Sequence, residues 1–226
     1  MSFTYSPKIV TDGLVFYVDA ANPNSYVSGS TTTDSLVSNV TGSLINDTDF
    51  STDNQGTWVF DGIDDYIDVS IYSPFTFGTG DFTISIWAYK DDAGFVPYLF
   101  DFRQNQTESA ITFYTRNSIE YYINGSTILD GNSGTTIPLD SWNQLMVIRK
   151  SGTVTSYINT AVDKTASDTS NLNLLRGTLI GKRFNQTTQN WPGKFGPIQI
   201  YNRALSSTEI LQNYNALKGR FGLWVQ

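Results

Sequence analysis

Phe82, Ile84, Ile86 and Ala88 alternate with Thr83, Ser85, Trp87 and Tyr89 in one unbroken run. Successive side chains of a strand point to opposite faces, so this two-residue period specifies a strand with one aliphatic face on a core and a second, mixed aromatic face that could meet a partner or ligand. Short β runs recur along the chain. Residues 14–19 read as a buried first strand, and residues 110–114, 119–123 and 127–129 as a meander. Asn124-Gly125 supplies the two positive-φ positions of a type I′ hairpin. Residues 142–150 and 153–160 pair across Ser151-Gly152, and residues 178–181 and 196–201 add two more strands. Such spacing leads to an expectation of roughly a dozen strands in two sheets.

The polar segment 20–57, dense in Asn, Ser, Thr and Gly, reads as long loops with short strands decorating the sandwich. One helix is expected after Leu205. Ser206 stands three residues before Glu209 in a capping-box arrangement, Ile210, Leu211, Tyr214 and Leu217 then share a face, and Gly219 should end it.

With 226 residues, 39% hydrophobic and 14% aromatic, the chain can bury one substantial core, so a single domain over 1–226 is expected, with a short arm at 1–8 and the helix and an apolar tail at 206–226. Only 15% of residues are charged and the net charge is −7, so nucleic acid is excluded as a partner by repulsion. No apolar span of 18 residues exists, so no membrane partner is expected, and residues 1–8 show no secretion leader. Cysteine is absent, which removes disulfides, thiolate nucleophiles and Cys-ligated zinc.

Histidine is absent too, and with it the Ser-His-Asp triad and the common His metal sites. Retaining glycoside hydrolases need two carboxylates about 5 Å apart. The three glutamates, Glu108, Glu120 and Glu209, each stand without a second acid two or four residues away, so no catalytic residue is assigned and the chain is read as non-enzymatic. Asp61, Asp64, Asp65 and Asp68 cluster, but Asp61-Gly62 reads as a turn, with Asp64 and Asp65 in its loop and Asp68 solvated.

Sugar-binding surfaces combine aromatic faces with amide and carboxylate side chains. Trp191, closing the polar run 185–190 before Pro192-Gly193, is the candidate exposed platform, with Asn185 beside it. Tyr121 and Tyr122 must point to opposite faces of their strand, and Tyr122 is taken as the one outside the core. Phe221, Leu223 and Trp224 are too apolar together to face water, and are taken as an assembly contact.

The ordered segments 59–67, 82–88, 142–147 leading to Tyr157-Ile158-Asn159, and 198–206 resemble the laminin-G-like, concanavalin-A-like jelly-roll family over roughly residues 9–217. The resemblance implies an all-β, two-sheet antiparallel jelly-roll sandwich with one short C-terminal helix. It also implies calcium, which such domains often carry. In related sequences the last core strand often reads Gly-x-Ile-Asp-Glu-Val, whereas Gly196 stands here in the acid's place, so no metal ligand is assigned and no cofactor is expected beyond that calcium. Residues 9–26 resemble the opening of laminin-G-like domains in tailed-bacteriophage virion proteins. That resemblance implies a virion surface protein, assembled in the host cytoplasm as capsid decoration or appendage. Its expected partners are other capsid or tail proteins, copies of itself, and host or environmental glycans. A free glycan-binding module is the alternative, and a glycoside hydrolase the third.

Overall fold

The structure, a computed structural model, describes residues 8–70, 73–91, 96–103, 109–123, 125–172, 177–184 and 186–223. Two antiparallel sheets face each other as a sandwich. The strands of the first are β1 (Leu14–Val18), β4 (Asp49–Ser51), β5 (Thr57–Asp61), β7 (Phe82–Lys90), β12 (Trp142–Lys150), β13 (Thr153–Ile158), β14 (Ala161–Ser167) and β16 (Pro192–Tyr201). Their order is β14-β13-β12-β7-β16-β5-β4, with β1 also on β16. The second sheet holds β2 (Thr32–Asp34), β3 (Thr41–Ile45), β6 (Tyr66–Val69), β8 (Tyr98–Arg103), β9 (Ser109–Thr115), β10 (Ile119–Ile123), β11 (Ser126–Leu129) and β15 (Gly177–Ile180), in the order β11-β10-β9-β8-β15-β6-β3-β2.

The period-two pattern of β7 fixes which face is inside. Ile84 and Ile86 pair across to Val147 and Leu145 on one side and to Ile200 and Ile198 on the other. These residues meet Phe100, Phe102, Ile111, Phe113 and Ile180 of the second sheet in one fully buried core. On the opposite face of β7, Thr83, Ser85 and Trp87 are also buried, because the C-terminal elements cover them. The register of β16 shifts between Phe195 and Ile198, on either side of Gly196-Pro197. Proline has no N–H to give to a ladder, and β16 changes partner over this stretch, from β5 at residues 192–195 to β1 at 198–201.

The β9–β10–β11 meander and the β12–β13 hairpin both form, with Ser151 and Gly152 at positive φ; of the expected Asn124-Gly125 turn, Gly125 is at positive φ and Asn124 lies outside the described residues. Residues 20–57 are more deeply built in than a decoration. They supply β2 and β3 to one sheet and β4 to the other, and Tyr26 packs its ring against Phe50 and Trp58. Their polarity is spent on short local bonds such as Ser25 Oγ to the Asp34 carbonyl, 2.7 Å.

Helix α1 (Ser207–Leu217) starts with the full capping box between Ser206 and Glu209. Gly219 does not end the helical path. A 3-10 turn, Lys218–Phe221, carries it on, and Gly222 at φ 73° in the left-handed region closes it. Arg203 binds the Glu209 carboxylate with both terminal nitrogens, at 2.6 and 3.0 Å, and the Ser206 N–H adds 2.8 Å. The Arg203 bonds first, then the Ser206 N–H, pull the Glu209 carboxyl down to about 2 from its ordinary 4.5. A carboxyl lowered on folding contributes stability that is fully present above 4.5 and is lost as pH falls through about 2. Glu209→Gln is therefore expected to flatten the acid limb of a stability-versus-pH curve in that window, and a limb as steep as in the parent would show the pair contributes nothing.

Candidate functional site

The outward face of the second sheet gathers side chains, most of them polar or aromatic, from five neighbouring strands. Strand alternation places Tyr98, Tyr114 and Glu120 in one cross-strand row of β8, β9 and β10. Asp101, Thr112 and Tyr122 make the adjacent row, extended by Leu179 of β15 and Asp68 of β6. The rings of Tyr98 and Tyr114 stack with centroids 4.6 Å apart and planes at 11°. Tyr114 donates its hydroxyl to Glu120 Oε1, and Arg116, from the β9–β10 turn, donates Nε to Oε2 at 2.6 Å. The Arg183 guanidinium lies over the Tyr98 ring, 5.6 Å from its centroid, and Nη1 bonds Gln189 Oε1 at 2.9 Å. Asp101 Oδ2 accepts the Phe184 N–H at 2.8 Å.

Burial, then the Glu120 bond and charge, push the Tyr114 phenol well above its ordinary value. Burial pushes Tyr98 up to about 12, against the neighbouring Arg183 charge. Both phenols stay protonated at neutral pH, so Tyr114 acts as a donor that fixes Glu120. What remains at the surface of this face is the exposed Arg116 and the half-buried Tyr122 ring, above the buried Glu120 and Asp101 carboxylates, which fixed donors hold. The Tyr122 ring can stack on one sugar face, and the Arg116 guanidinium can donate to sugar hydroxyls.

The sequence-derived site residues fare unequally. Tyr122 does face outward while Tyr121 is core, its hydroxyl bonded to Asp168 Oδ2 at 3.2 Å. Trp191 is no platform. It is fully buried, its ring 5.0 Å from that of Phe195 and its Nε1 donating to the Tyr89 carbonyl at 3.2 Å. The polar run before it misled, because residue 191 already forms part of the approach to β16. Asn185 and Trp224 lie outside the described residues. Phe221 is not free to meet a neighbour either. It stacks on Trp87 at 4.5 Å and meets Trp142 at 4.4 Å, and Leu223 packs partly buried against the same cluster.

Glu120, Arg116, Asp101, Tyr98, Tyr114 and Arg183 were not singled out by the sequence. Parity alone would have found Glu120, since it must share a face with Tyr122 two residues on. Asp101 needed the β8–β9–β10 pairing. The same pairing qualifies the search for paired acids along one strand. Glu120 and Asp101 reach one face from strands two ladder steps apart, roughly 10 Å.

At Gly196, where the resemblance would place an acid, an added Cβ would lie 2.6 Å from the Phe221 ring. The family-type calcium ligand does not fit there. The Asp61–Asp65 corner is a separate feature. Asp61 Oδ1 accepts from Ile63 and Asp64 N–H at 2.7 and 3.2 Å across Gly62, which sits at φ 76°. Asp65 is buried, and that burial, with the Asp61 and Asp64 charges, pushes it up to about 6.

Residues 61–211 match the family described as the Concanavalin A-like lectin/glucanases superfamily. The chain belongs to this superfamily, and its sandwich is the lectin/glucanase-like carbohydrate-binding fold. Among solved structures it is similar to the Trypanosoma rangeli sialidase in complex with sialic acid, with a TM-score of 0.71 and 12% identity over 96% of this chain and 36% of that one. It is also similar to the binding domain of Paraclostridial Mosquitocidal Protein 1 (TM-score 0.69, 18% identity, 91% of this chain and 52% of that one). The receptor binding domain of botulinum neurotoxin C/D mosaic serotype gives a TM-score of 0.68 at 13% identity, over 90% of this chain and 51% of that one. The chain thus spans about a third to a half of the length of these proteins. No curated protein sequence matches it. The sialidase likeness corrects the reading of the chain as non-enzymatic: the fold is shared with enzymes, and acids missing from one strand are no ground for setting that class aside.

Proposed function

We propose that the outward face of the second sheet is a glycan-binding surface, centred on Tyr122 and Arg116, with the buried Glu120 holding the Arg116 guanidinium in place. The observation that carries this reading is the outward Tyr122 ring beside an exposed Arg116 guanidinium that the buried Glu120 carboxylate fixes, in a chain of the lectin/glucanase superfamily. The likeness to the receptor binding domain of botulinum neurotoxin C/D mosaic serotype supports a recognition task for this fold. Tyr122→Ala and Arg116→Ala are each expected to weaken retention on immobilised glycans roughly tenfold, the loss of one stacking or charge-assisted contact. Retention unchanged in both variants would remove the surface from consideration.

The finer placement proposed is the surface of a tailed-phage particle, as capsid decoration or appendage, with capsid or tail proteins and copies of itself as partners. Its support is the resemblance of residues 9–26 to laminin-G-like domains of such virion proteins. Mass spectrometry of purified particles tests it. Copy numbers near that of the major capsid protein would mean head decoration, and far fewer copies a tail or fibre. Absence from particles would leave a free glycan-binding module.

A further inference from the structure

The outward face of the first sheet, beneath helix α1, carries a polar strip that crosses its three central strands. Ser85 and Trp87 stand two residues apart on β7, so they share a face. Gln144 of β12 lies directly opposite Trp87, and Gln199 of β16 directly opposite Ser85. The diagonal Gln199–Ser85–Gln144 separates two apolar clusters on this face, one with Met146, Ile148, Tyr201 and Ile210, the other with Trp87, Trp142 and Phe221. Helix α1 reaches both. Asn213 Nδ2 donates to the Tyr201 hydroxyl at 2.9 Å, and the next residue, Tyr214, stacks its ring on Trp87 with centroids 5.5 Å apart.

Under this cover the strip is closed to solvent: Ser85 is 2% exposed, Gln144 and Gln199 1% each. Gln144 Nε2 donates to Ser85 Oγ at 3.3 Å, which fixes the Gln144 amide beside Ser85, and directly opposite Ser85 stands Gln199. Gln144 Oε1 and both amide atoms of Gln199 are nevertheless buried without a hydrogen-bond partner among the described residues, as is the indole Nε1 of Trp87. Buried polar groups are almost always paired, with protein or with ordered water, because leaving them bare forfeits the hydrogen bonds they make in solvent. Two neighbouring amides with unpaired ends therefore point to a guest.

We propose that this strip is a buried hydration site, in which ordered water bridges Gln144 Oε1 to the Gln199 amide beside Ser85. The chemistry of the unpaired atoms selects the guest. They are neutral and include both acceptors and donors, and water can donate to Oε1 while accepting from Nε2. A metal ion would satisfy the oxygens alone and leave Gln199 Nε2 bare. Internal waters typically hold about three hydrogen bonds, and Gln144, Gln199 and the Ser85 hydroxyl supply that number. The water seats α1 on a part of the sheet that its apolar contacts do not cover. The site lies on the first sheet and does not depend on the glycan reading of the second.

Oxygen-17 magnetic relaxation dispersion, which counts waters held inside a protein in solution, tests the assignment on the full chain. The Gln144→Leu/Gln199→Leu double variant is expected to lose one or more long-lived waters relative to the parent. It should still unfold cooperatively, since both amides are removed together and neither is left without its partner. A folded double variant with the parent's water count would overturn the proposal. A high-resolution crystal structure of the unmodified chain gives a readout that needs no variant. Water within about 3.2 Å of both Gln144 Oε1 and the Gln199 amide is expected. A direct amide-to-amide bond between Gln144 and Gln199, with no water between them, would overturn it.

Discussion

Arg220→Ala is expected to destabilise the protein by about 3–5 kcal/mol, the cost of removing one partner of a buried ion pair. In a chain of this size that is a drop in melting temperature of roughly 10 °C. The Arg220 Nη1 lies 2.7 and 2.8 Å from the two Asp19 oxygens, Nε donates to the Asn54 carbonyl and Nη2 to the Gly56 carbonyl. The side chains of Arg220 and Asp19 are only 7% and 9% exposed, so water cannot replace what the guanidinium gives. Asn54 returns a bond from Nδ2 to the Arg220 carbonyl at 2.9 Å and accepts the Trp142 indole N–H at 3.0 Å. One guanidinium therefore ties the C-terminal turn to the first strand and to the 54–56 loop. Arg220→Lys keeps the charge but loses the planar fork, and should recover only part of the loss. A melt of Arg220→Ala within about 0.5 kcal/mol of the parent would mean that the pair is no more than a surface contact.

This placement changes what a C-terminal truncation reports. The tail reads in sequence as surplus apolar surface, which makes deletion of residues 220–226 a clean test of assembly on that reading. In the fold the same deletion takes away Arg220 and the Phe221 ring that covers Trp87, so any loss of assembly would be mixed with loss of the fold.

What was legible in the sequence is what depends on period and on local turn chemistry. The alternation in β7 gave the inward row of Ile84 and Ile86, the Ser206–Glu209 spacing gave the helix start, and Ser151-Gly152 gave a hairpin. Contacts made at long range were not legible. Arg149 illustrates this: followed by the exposed Lys150 at the end of β12, it is fully buried, with its nitrogens 2.7 to 2.9 Å from the carbonyls of Gly78, Gly80 and Ser170. Nothing in its neighbours along the chain marks it as core. The same holds for the site, where parity places Tyr122 on a face but only strand order brings Asp101 and Arg183 to it.

Trp191→Ala sets these two kinds of information against each other. As a loop platform the ring would contribute to ligand retention and little to stability. In the structure it is wholly buried, packed on Phe195, with its N–H on the Tyr89 carbonyl and its own backbone N–H on the Gly181 carbonyl at 2.7 Å. Truncating a buried Trp costs about 3–5 kcal/mol through lost burial and a residual cavity, and here the Tyr89 carbonyl would also lose its indole donor. Denaturant unfolding should show that loss as a fall in the midpoint with little change in slope. Tyr122→Ala should instead cost about 0.5–1 kcal/mol, because its ring is only half buried and lies outside the core. The two variants thus separate core from surface: Trp191→Ala lowers stability, and Tyr122→Ala lowers glycan retention at near-parent stability. The reverse pattern, a stable Trp191→Ala that no longer binds, would put the ring back on the surface and undo the placement of residue 191 beside Phe195.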